Sequence, residues 1–370
     1  MKTDPAASLS SALNEFSSLE IEPLIAPKPA EPRDSSRLLL VDRASAGLRH
    51  LIFRDLPSLL GPADLLVLNR SRVWKAKLPA EKTTGGKTDL LLIEPRSPDM
   101  TVWTALARKI KPGQRLICGA GLNAVCAGLN SDGSWTFEFS APVNEDYLAE
   151  HGEVPLPQYI LKARKREKEV CAGPKAGAQF RSGGPPSGDE TRYQTVFASA
   201  PGSIAAPTAG FHFTSEVFTA LEARGVRTAF VTLHIGWGTF RPVRCKNPAD
   251  HQMLEETCFL DSQTASVINA HKESGGRIIA VGTSSMRTLE TFAGIDGRLT
   301  SGERRAGLFI RPGYKFKIAG AFITNLHVPD SAPLYMTAAF TGRELLLNAY
   351  QKAVTEKYRF YSYGDAMMIQ

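Results

Sequence analysis

Cysteine is scarce and unpatterned in this sequence. Its five residues, Cys118, Cys126, Cys171, Cys245 and Cys258, make an odd count with no C-x-x-C pair. That argues against a zinc ribbon or a disulfide framework and suits a reducing cytoplasm, the expected location. Long apolar runs are missing as well, so no membrane partner is expected. The N-terminus lacks the charged stretch and apolar core of a secretory signal. There is no Walker A motif, and no G-x-G-x-x-G follows a strand-like run, which removes the common nucleotide-phosphate fingerprints. H-x-x-x-H is absent too, and the histidine spacing matches no ligand motif, so no metal is expected.

What is present is an ordinary folded composition, with 43% apolar and 22% charged residues. A length of 370 residues suggests two domains. The net charge of +7 favours polyanionic partners. Residues 1 to 33 are rich in Ser, Ala and Pro and read as a loosely held tail. Apolar runs at Leu38–Val41 and Asp64–Leu68 read as strands. From about Val73 to Phe139 the texture changes to short extended runs ("TDLLLIE", "VWTALA", "WTFEF") broken by turn chemistry ("GG", "KPGQ", "SDGS"). This predicts a small β-barrel or sandwich over 71–149, inserted into an α/β domain formed by 34–70 and 150–370. A basic, Gly/Pro-rich stretch over 162–188 reads as a disordered insertion, with a polyanion-binding loop as the alternative.

The last 175 or so residues alternate strands and helices, which implies βαβ units and a sheet covered on both faces. In such sheets ligands bind beyond the carboxyl ends of the strands. "AFVTL" delivers His234 and "GWGTF"; "IIAV" delivers Gly282 and "TSSMR"; "FITN" delivers His327. "AAPTAGFHFT" adds His212 between two phenylalanines, after residues of almost no side-chain bulk. Such a backbone lets a flat ligand lie close, and a buried imidazole can act as acid, base or hydrogen-bonding group. A core histidine satisfied by backbone is the bland account of each ring. Exposed amides at the start of "TSSMRTLE" favour a carboxylate or phosphate, unless Thr283 and Ser284 simply cap that helix. Arg287 and Glu290, three apart, share a helix face and read as a surface ion pair. Gly236 and Gly238 permit close backbone approach.

Taken together, "AAPTAGFHFT", "TLHIGWGTFRPV", "VGTSSMRTLE", "LFIRPGYKF", "TNLHVP" and "YRFYSYGDAMMI", in order, resemble the S-adenosylmethionine:tRNA ribosyltransferase-isomerase family of the queuosine pathway. "RDSSRLLLVDR", "HGEVPLPQYI" and "RYQTVFA" are similar to it too, so the resemblance runs from about Ile21 to Ile369. It implies a large mixed α/β domain interrupted by a small inserted β-barrel. It also implies a cytoplasmic transferase-isomerase that moves the ribosyl part of S-adenosylmethionine onto 7-aminomethyl-7-deazaguanine at the wobble position of a tRNA. The product is epoxyqueuosine-tRNA, with adenine and methionine released, so S-adenosylmethionine is a consumed ribosyl donor.

For the site, the resemblance points to His212, His234, His327, Glu256 and Asp365 as acid–base candidates. Pro207, Thr208, Ala209 and Gly210 would wall the donor pocket. Gly282, Thr283 and Ser284 would take the methionine carboxylate or ribose hydroxyls, and Tyr193 and Tyr363 would offer stacking faces. Arg37, Arg241 and Arg287 would neutralise carboxylate or phosphate, with Gly236, Thr239 and Asn325 also at the site. Lys109, Lys111, Arg115 and Lys162 to Arg166 are the expected RNA face, on a chain expected to be a monomer. The sequence departs from the family pattern at Pro27, Arg70, Leu254, Arg311, Asp330 and Pro333 and in the 162–188 insertion, positions that bear on the acceptor. A noncatalytic tRNA- or nucleotide-binding relative is the competing reading.

Overall fold

Runs of apolar residues with no polar alternation suit strands covered on both faces. They form β1 (Arg37–Asp42) and β3 (Asp64–Asn69), with β2 (Gly47–Ile52) turning back along β1 and β4 (Ser71–Val73) following β3. The computed structural model describes residues 13–172, 188–240, 243 and 247–370. The turn-rich stretch becomes six strands: β5 (Lys77–Lys82), β6 (Lys87–Pro95), β7 (Val102–Ala107), β8 (Arg115–Cys118), β9 (Asn123–Leu129) and β10 (Trp135–Phe139). They close into a barrel in the order β10-β7-β6-β5-β8-β9. Its interior holds Leu78, Leu90, Leu92, Trp103, Leu116 and Phe137.

The chain then re-enters the large domain through α1 (Glu145–His151) and α2 (Gln158–Ala172). The remaining strands are β11 (Ala200–Ser203), β12 (Arg227–Leu233), β13 (Glu256–Leu260), β14 (Arg277–Val281), β15 (Gly302–Ala306), β16 (Ala321–Asn325) and β17 (Ala366–Ile369). β11 pairs with β4, and the others join a nine-stranded mixed sheet ordered β15-β13-β12-β3-β14-β16-β17-β1-β2. β3, β12, β14 and β16 are parallel, so their carboxyl ends share one edge. β17 opposes β16 and is parallel to β1, which brings the starts of β17 and β1 to the same edge.

Five further helices surround the sheet: α3 (Ser215–Ala223), α4 (Ser262–Glu273), α5 (Thr283–Phe292), α6 (Ala332–Thr341) and α7 (Arg343–Thr355). Local chemistry sets their starts. Thr214 accepts from the Val217 amide at the head of α3, and Asp261 from that of Thr264 at the head of α4. Strand alternation divides the core. Leu39, Val41, Leu65, Val67, Phe322 and Met367 pack with α4 to α7 on one face. Leu38, Leu66, Leu68, Val281 and Ile323 pack with Phe213 and α3 on the other.

Two segments differ from the sequence expectation. The presumed tail is packed from Leu13 onward: Leu13, Phe16 and Ile21 are buried, and the Phe16 ring meets the Tyr350 ring edge-on at 5.1 Å. Burying a ring of that size contributes about 2–3 kcal/mol, enough to hold a segment of unpromising composition. The first part of the basic insertion is helical, because α2 buries Ile160 and Ala163, and Arg164 grips Asp189 with two 2.7 Å hydrogen bonds. Residues 1–12 and 173–187 lie outside the described residues. α6 was not anticipated, since it is buried almost all round and carries no one-sided apolar stripe.

Candidate active site at the carboxyl edge of the sheet

The small-residue stretch after β11 folds into one tight helical turn, Thr208–His212, against the end of β16. Close packing explains its composition. A Cβ on Gly210 would lie 2.7 Å from side-chain carbons of both Thr195 and Phe197. Gly282, at φ +87°, leaves the end of β14 in a conformation that favours glycine, and a Cβ there would face that of Ala209 at 3.5 Å. The wall of Pro207, Thr208, Ala209 and Gly210 therefore meets the start of α5.

His212 is buried in this wall. Its Nδ1 is 2.7 Å from Ser36 Oγ and its Nε2 is 3.3 Å from Asn325 Nδ2. Asn325 also donates from Nδ2 to the Tyr361 carbonyl at 3.2 Å and accepts from Thr208 Oγ1 at 3.1 Å. A carbonyl only accepts, so this pair fixes the amide orientation and makes Nε2 the unprotonated ring nitrogen. Nδ1–H then donates to Ser36. Burial drives the ring's pKa down to about 4, against a smaller upward pull from Asp365. The ring is neutral at physiological pH. A narrow cleft opens beside it, lined by Arg33, Phe211, Tyr363 and Gly364 among others.

The three histidines do not share this cleft. Thr324 and Asn325 are consecutive in β16 and face opposite sides of the sheet. His327 Nε2 is 2.6 Å from Thr324 Oγ1, and its backbone N–H donates to the Tyr350 hydroxyl at 2.7 Å, on the α7 side. His234 follows β12, with β3 and β14 between it and β16. It packs edge-on against Phe259 and close to Gly202, where a Cβ would touch its ring. Desolvation lowers the pKa of both rings. The three acid–base candidates expected near the strand ends thus do not come together: chain order brought each to the same edge, but side-chain alternation and strand order separate them.

Other candidates are occupied. Asp365, buried at the start of β17, accepts from the Arg37 and Arg359 backbone amides at 3.1 and 2.8 Å and from both guanidinium groups. A carboxylate so engaged anchors the edge. Arg37 is spent on Asp365, on the Glu356 and Lys357 carbonyls and on the Tyr358 ring 3.9 Å away. Tyr193 packs edge-on against Phe211 and Tyr363 as core, whereas Tyr363, buried against Phe211, also lines the cleft beside His212. Glu256, at the start of β13, accepts from the Gly236 amide at 2.8 Å and pairs with Arg287 of α5; both side chains are buried. The expected surface pair of Arg287 with Glu290 is corrected accordingly. Glu290 is buried and accepts instead from Tyr314 Oη at 2.9 Å and from the Lys317 and Ile318 amides. α5 starts after Gly282 with no side-chain cap, so Thr283 and Ser284 do not act as caps. Arg241 and the Thr239 side chain lie outside the described residues.

Sequence reasoning missed Ser36, Arg33 and Arg359. Ser36 and Arg33 stand in or beside "RDSSRLLLVDR", at the head of the first strand, and that adjacency was the available signal. Among the departures from the family pattern, Arg70 reaches Thr232 Oγ1 at 3.4 Å, and the Pro27 carbonyl accepts from Arg164. Asp330, at φ +57°, accepts from Ser17 Oγ at 3.2 Å. Leu254 packs on Gly238, Pro333 sits in the first turn of α6, and the Arg311 carbonyl accepts from the Tyr314 amide. Among the described residues, no group of three His, Cys, Asp or Glu side chains is arranged to hold a metal ion, and no helix is long and apolar enough to cross a membrane.

Comparison with known proteins places these features in a lineage. A family model described as queuosine biosynthesis protein matches residues 15–369. An S-adenosylmethionine:tRNA ribosyltransferase-isomerase of Symbiobacterium thermophilum is 42% identical over 352 residues, covering 94% of this chain and 96% of that protein. A protein of the same name from Pelobacter propionicus is 40% identical over 353 residues, covering 94% and 97%. The crystal structure of an S-adenosylmethionine tRNA ribosyltransferase from Thermotoga maritima is similar at 32% identity with a TM-score of 0.50, covering 95% of this chain and 98% of that one.

Proposed function

Because the chain belongs to the queuosine biosynthesis protein family, we propose that it is a transferase-isomerase that moves the ribosyl part of S-adenosylmethionine onto tRNA. The acceptor is the aminomethyl group of 7-aminomethyl-7-deazaguanine at the wobble position. The products are epoxyqueuosine-tRNA, adenine and methionine. The observation that carries the reading at the level of chemistry is the hydrogen-bonded chain Ser36–His212–Asn325–Thr208, set in a bulk-free wall at the end of β16.

The residue types suit the reaction. The sulfonium acidifies the neighbouring ribose C–H. Loss of that proton opens the ring and adenine leaves; the tRNA amine then attacks, and methionine departs as the epoxide closes. His212 Nε2 is the base in this scheme. Its lone pair is available above about pH 4, and its 3.3 Å contact to Asn325 is long enough for substrate to displace. A ring of such low pKa gives its proton up readily, which suits passing it to the departing adenine. Thr208 and Asn325 hold the wall, and Gly282 lets the nucleoside lie against backbone.

On the RNA side, Lys109, Lys111 and Arg115 are exposed around the barrel's β7–β8 turn, and Lys162 and Lys165 are exposed on α2. They are the cations available to phosphate; Arg164, committed to Asp189, is not among them. The test is incubation with S-adenosylmethionine labelled in the ribose and tRNA carrying the precursor base. Equal release of adenine and methionine with label in the tRNA is expected. Adenine release without labelled tRNA means a different acceptor, and no release means a binding protein.

A further inference from the structure

A second cleft lies on the other face of the sheet from His212, between α5, the segment after β15 and the start of α6. Thr283, Arg287, Phe309, Ile310 and Met336 are among its lining. It is apolar apart from Thr283 and Arg287 of α5. Arg287 enters it with 7% exposure, paired on one side with Glu256, and its Nε is buried with no partner among the described residues. A guanidinium has five donor hydrogens in a fork that matches a carboxylate. Leaving one of them buried and unused costs free energy that a ligand oxygen recovers. The uncapped amides of α5 point the same way.

Next to Thr283 stands Gly282, which abuts Ala209 of the His212 wall. The start of α5, which lines this cleft, therefore adjoins the wall that carries His212.

Resting on the functional reading above, we propose that the Arg287 cleft is the subsite for the amino-acid end of the ribosyl donor. Arg287 takes the α-carboxylate, and Phe309 and Met336 face the methylene carbons of the methionine chain. Glu256, behind the cleft, holds the other side of the guanidinium in place. Burial lowers the Arg287 pKa to about 10, which still leaves it charged at neutral pH.

The test is calorimetric binding of S-adenosylmethionine and of its decarboxylated analogue. The full-length protein should prefer the intact donor by roughly 10- to 100-fold. Arg287→Met should bind both weakly and almost equally, and Arg287→Lys should recover part of the preference. Retention of the full preference in Arg287→Met, or no preference in the parent protein, overturns the assignment. Because Arg287→Met leaves Glu256 buried without its partner, Met336→Trp serves as a second variant that fills the cleft and keeps the pair. It should weaken donor binding by roughly tenfold or more while adenosine binds unchanged; unchanged donor affinity overturns the assignment. A parent protein that binds neither compound and releases no adenine defeats the functional reading itself, and the subsite with it.

Discussion

Two histidines, His212 and His327, stand against consecutive residues of one strand and make opposite use of burial. His212 bonds to Asn325 on the α3 side, next to residues with little bulk and a cleft. His327 bonds to Thr324 on the α7 side, with Tyr350 tied to its backbone. Desolvation lowers both pKa values. A depressed pKa therefore does not identify the reactive ring. What distinguishes them is the neighbourhood: one ring has a displaceable partner and a glycine-lined approach, the other a short hydrogen bond and a tyrosine latch.

The largest effect expected from breaking this contrast is on turnover. His212→Gln should lower adenine release by roughly a hundredfold or more, the usual scale for removing a positioned acid–base group. His327→Gln should leave release within a few-fold and lower the unfolding free energy by about 1–2 kcal/mol, since it disturbs a buried hydrogen bond. Steady-state kinetics and urea denaturation on both variants separate the two roles. Interchanged outcomes would place the chemistry on the α7 face.

A smaller effect is pH-dependent stability. The folded His212 pKa of about 4 lies below the unfolded value of about 6.5, so the ring is neutral in both states above that value. As pH falls from about 6.5 through 4, the unfolded chain takes up a proton that the folded chain resists. Stability declines over that window, by up to about 3 kcal/mol for this group. Urea midpoints at pH 7 and pH 4.5 should diverge more for the parent protein than for His212→Gln. Equal divergence would mean that the ring is not desolvated as described.

Asn325→Asp sharpens the comparison further. It replaces the amide that donates to Nε2 with a carboxylate that pulls the His212 pKa upward. A drop in turnover of roughly tenfold, with an acid limb moved toward neutral pH, is expected. The mildest change is expected on the barrel. Replacing Lys109, Lys111 and Arg115 by Gln should weaken tRNA binding with little effect on adenine release. The salt dependence should flatten by up to about 0.7–0.9 for each phosphate that is no longer neutralised. An unchanged slope puts the RNA-binding cations elsewhere.

Much of the fold was legible because its signals are local. The apolar runs of β1 and β3, the Gly- and Pro-marked turns of the barrel and the one-sided face of α7 each announce themselves within a dozen residues. The packing of Phe16 against Tyr350 was not legible, since Ser, Ala and Pro around it mask a segment whose partner lies more than three hundred residues away. The helix at Gln158 was hidden by its own charges, most of which face water; among the described residues Ile160 and Ala163 mark the buried side. At the candidate site, the wall and His212 could be named from the small side chains of "AAPTAGFHFT", and the glycine before α5 from its place at a strand end. Which rings share a face could not. That depends on the parity of Thr324 and Asn325 in β16 and on where the chain order places β12, and neither is visible in the loop that carries each histidine. Asp365 was read as an acid–base candidate and Arg37 as a counter-charge for substrate because they are charged residues in shared motifs; their mutual geometry shows that they hold the edge together.

The account rests on His212 being the imidazole that meets the donor. Nitrogen-15 spectra of histidine-labelled protein, with His212 and His327 assigned through their Gln variants, can follow both rings as S-adenosylmethionine is added. The account predicts an Nδ1-protonated, neutral His212 whose Nε2 signal moves on donor binding, while the His327 signals stay in place. Movement at His327 with His212 unchanged would contradict it.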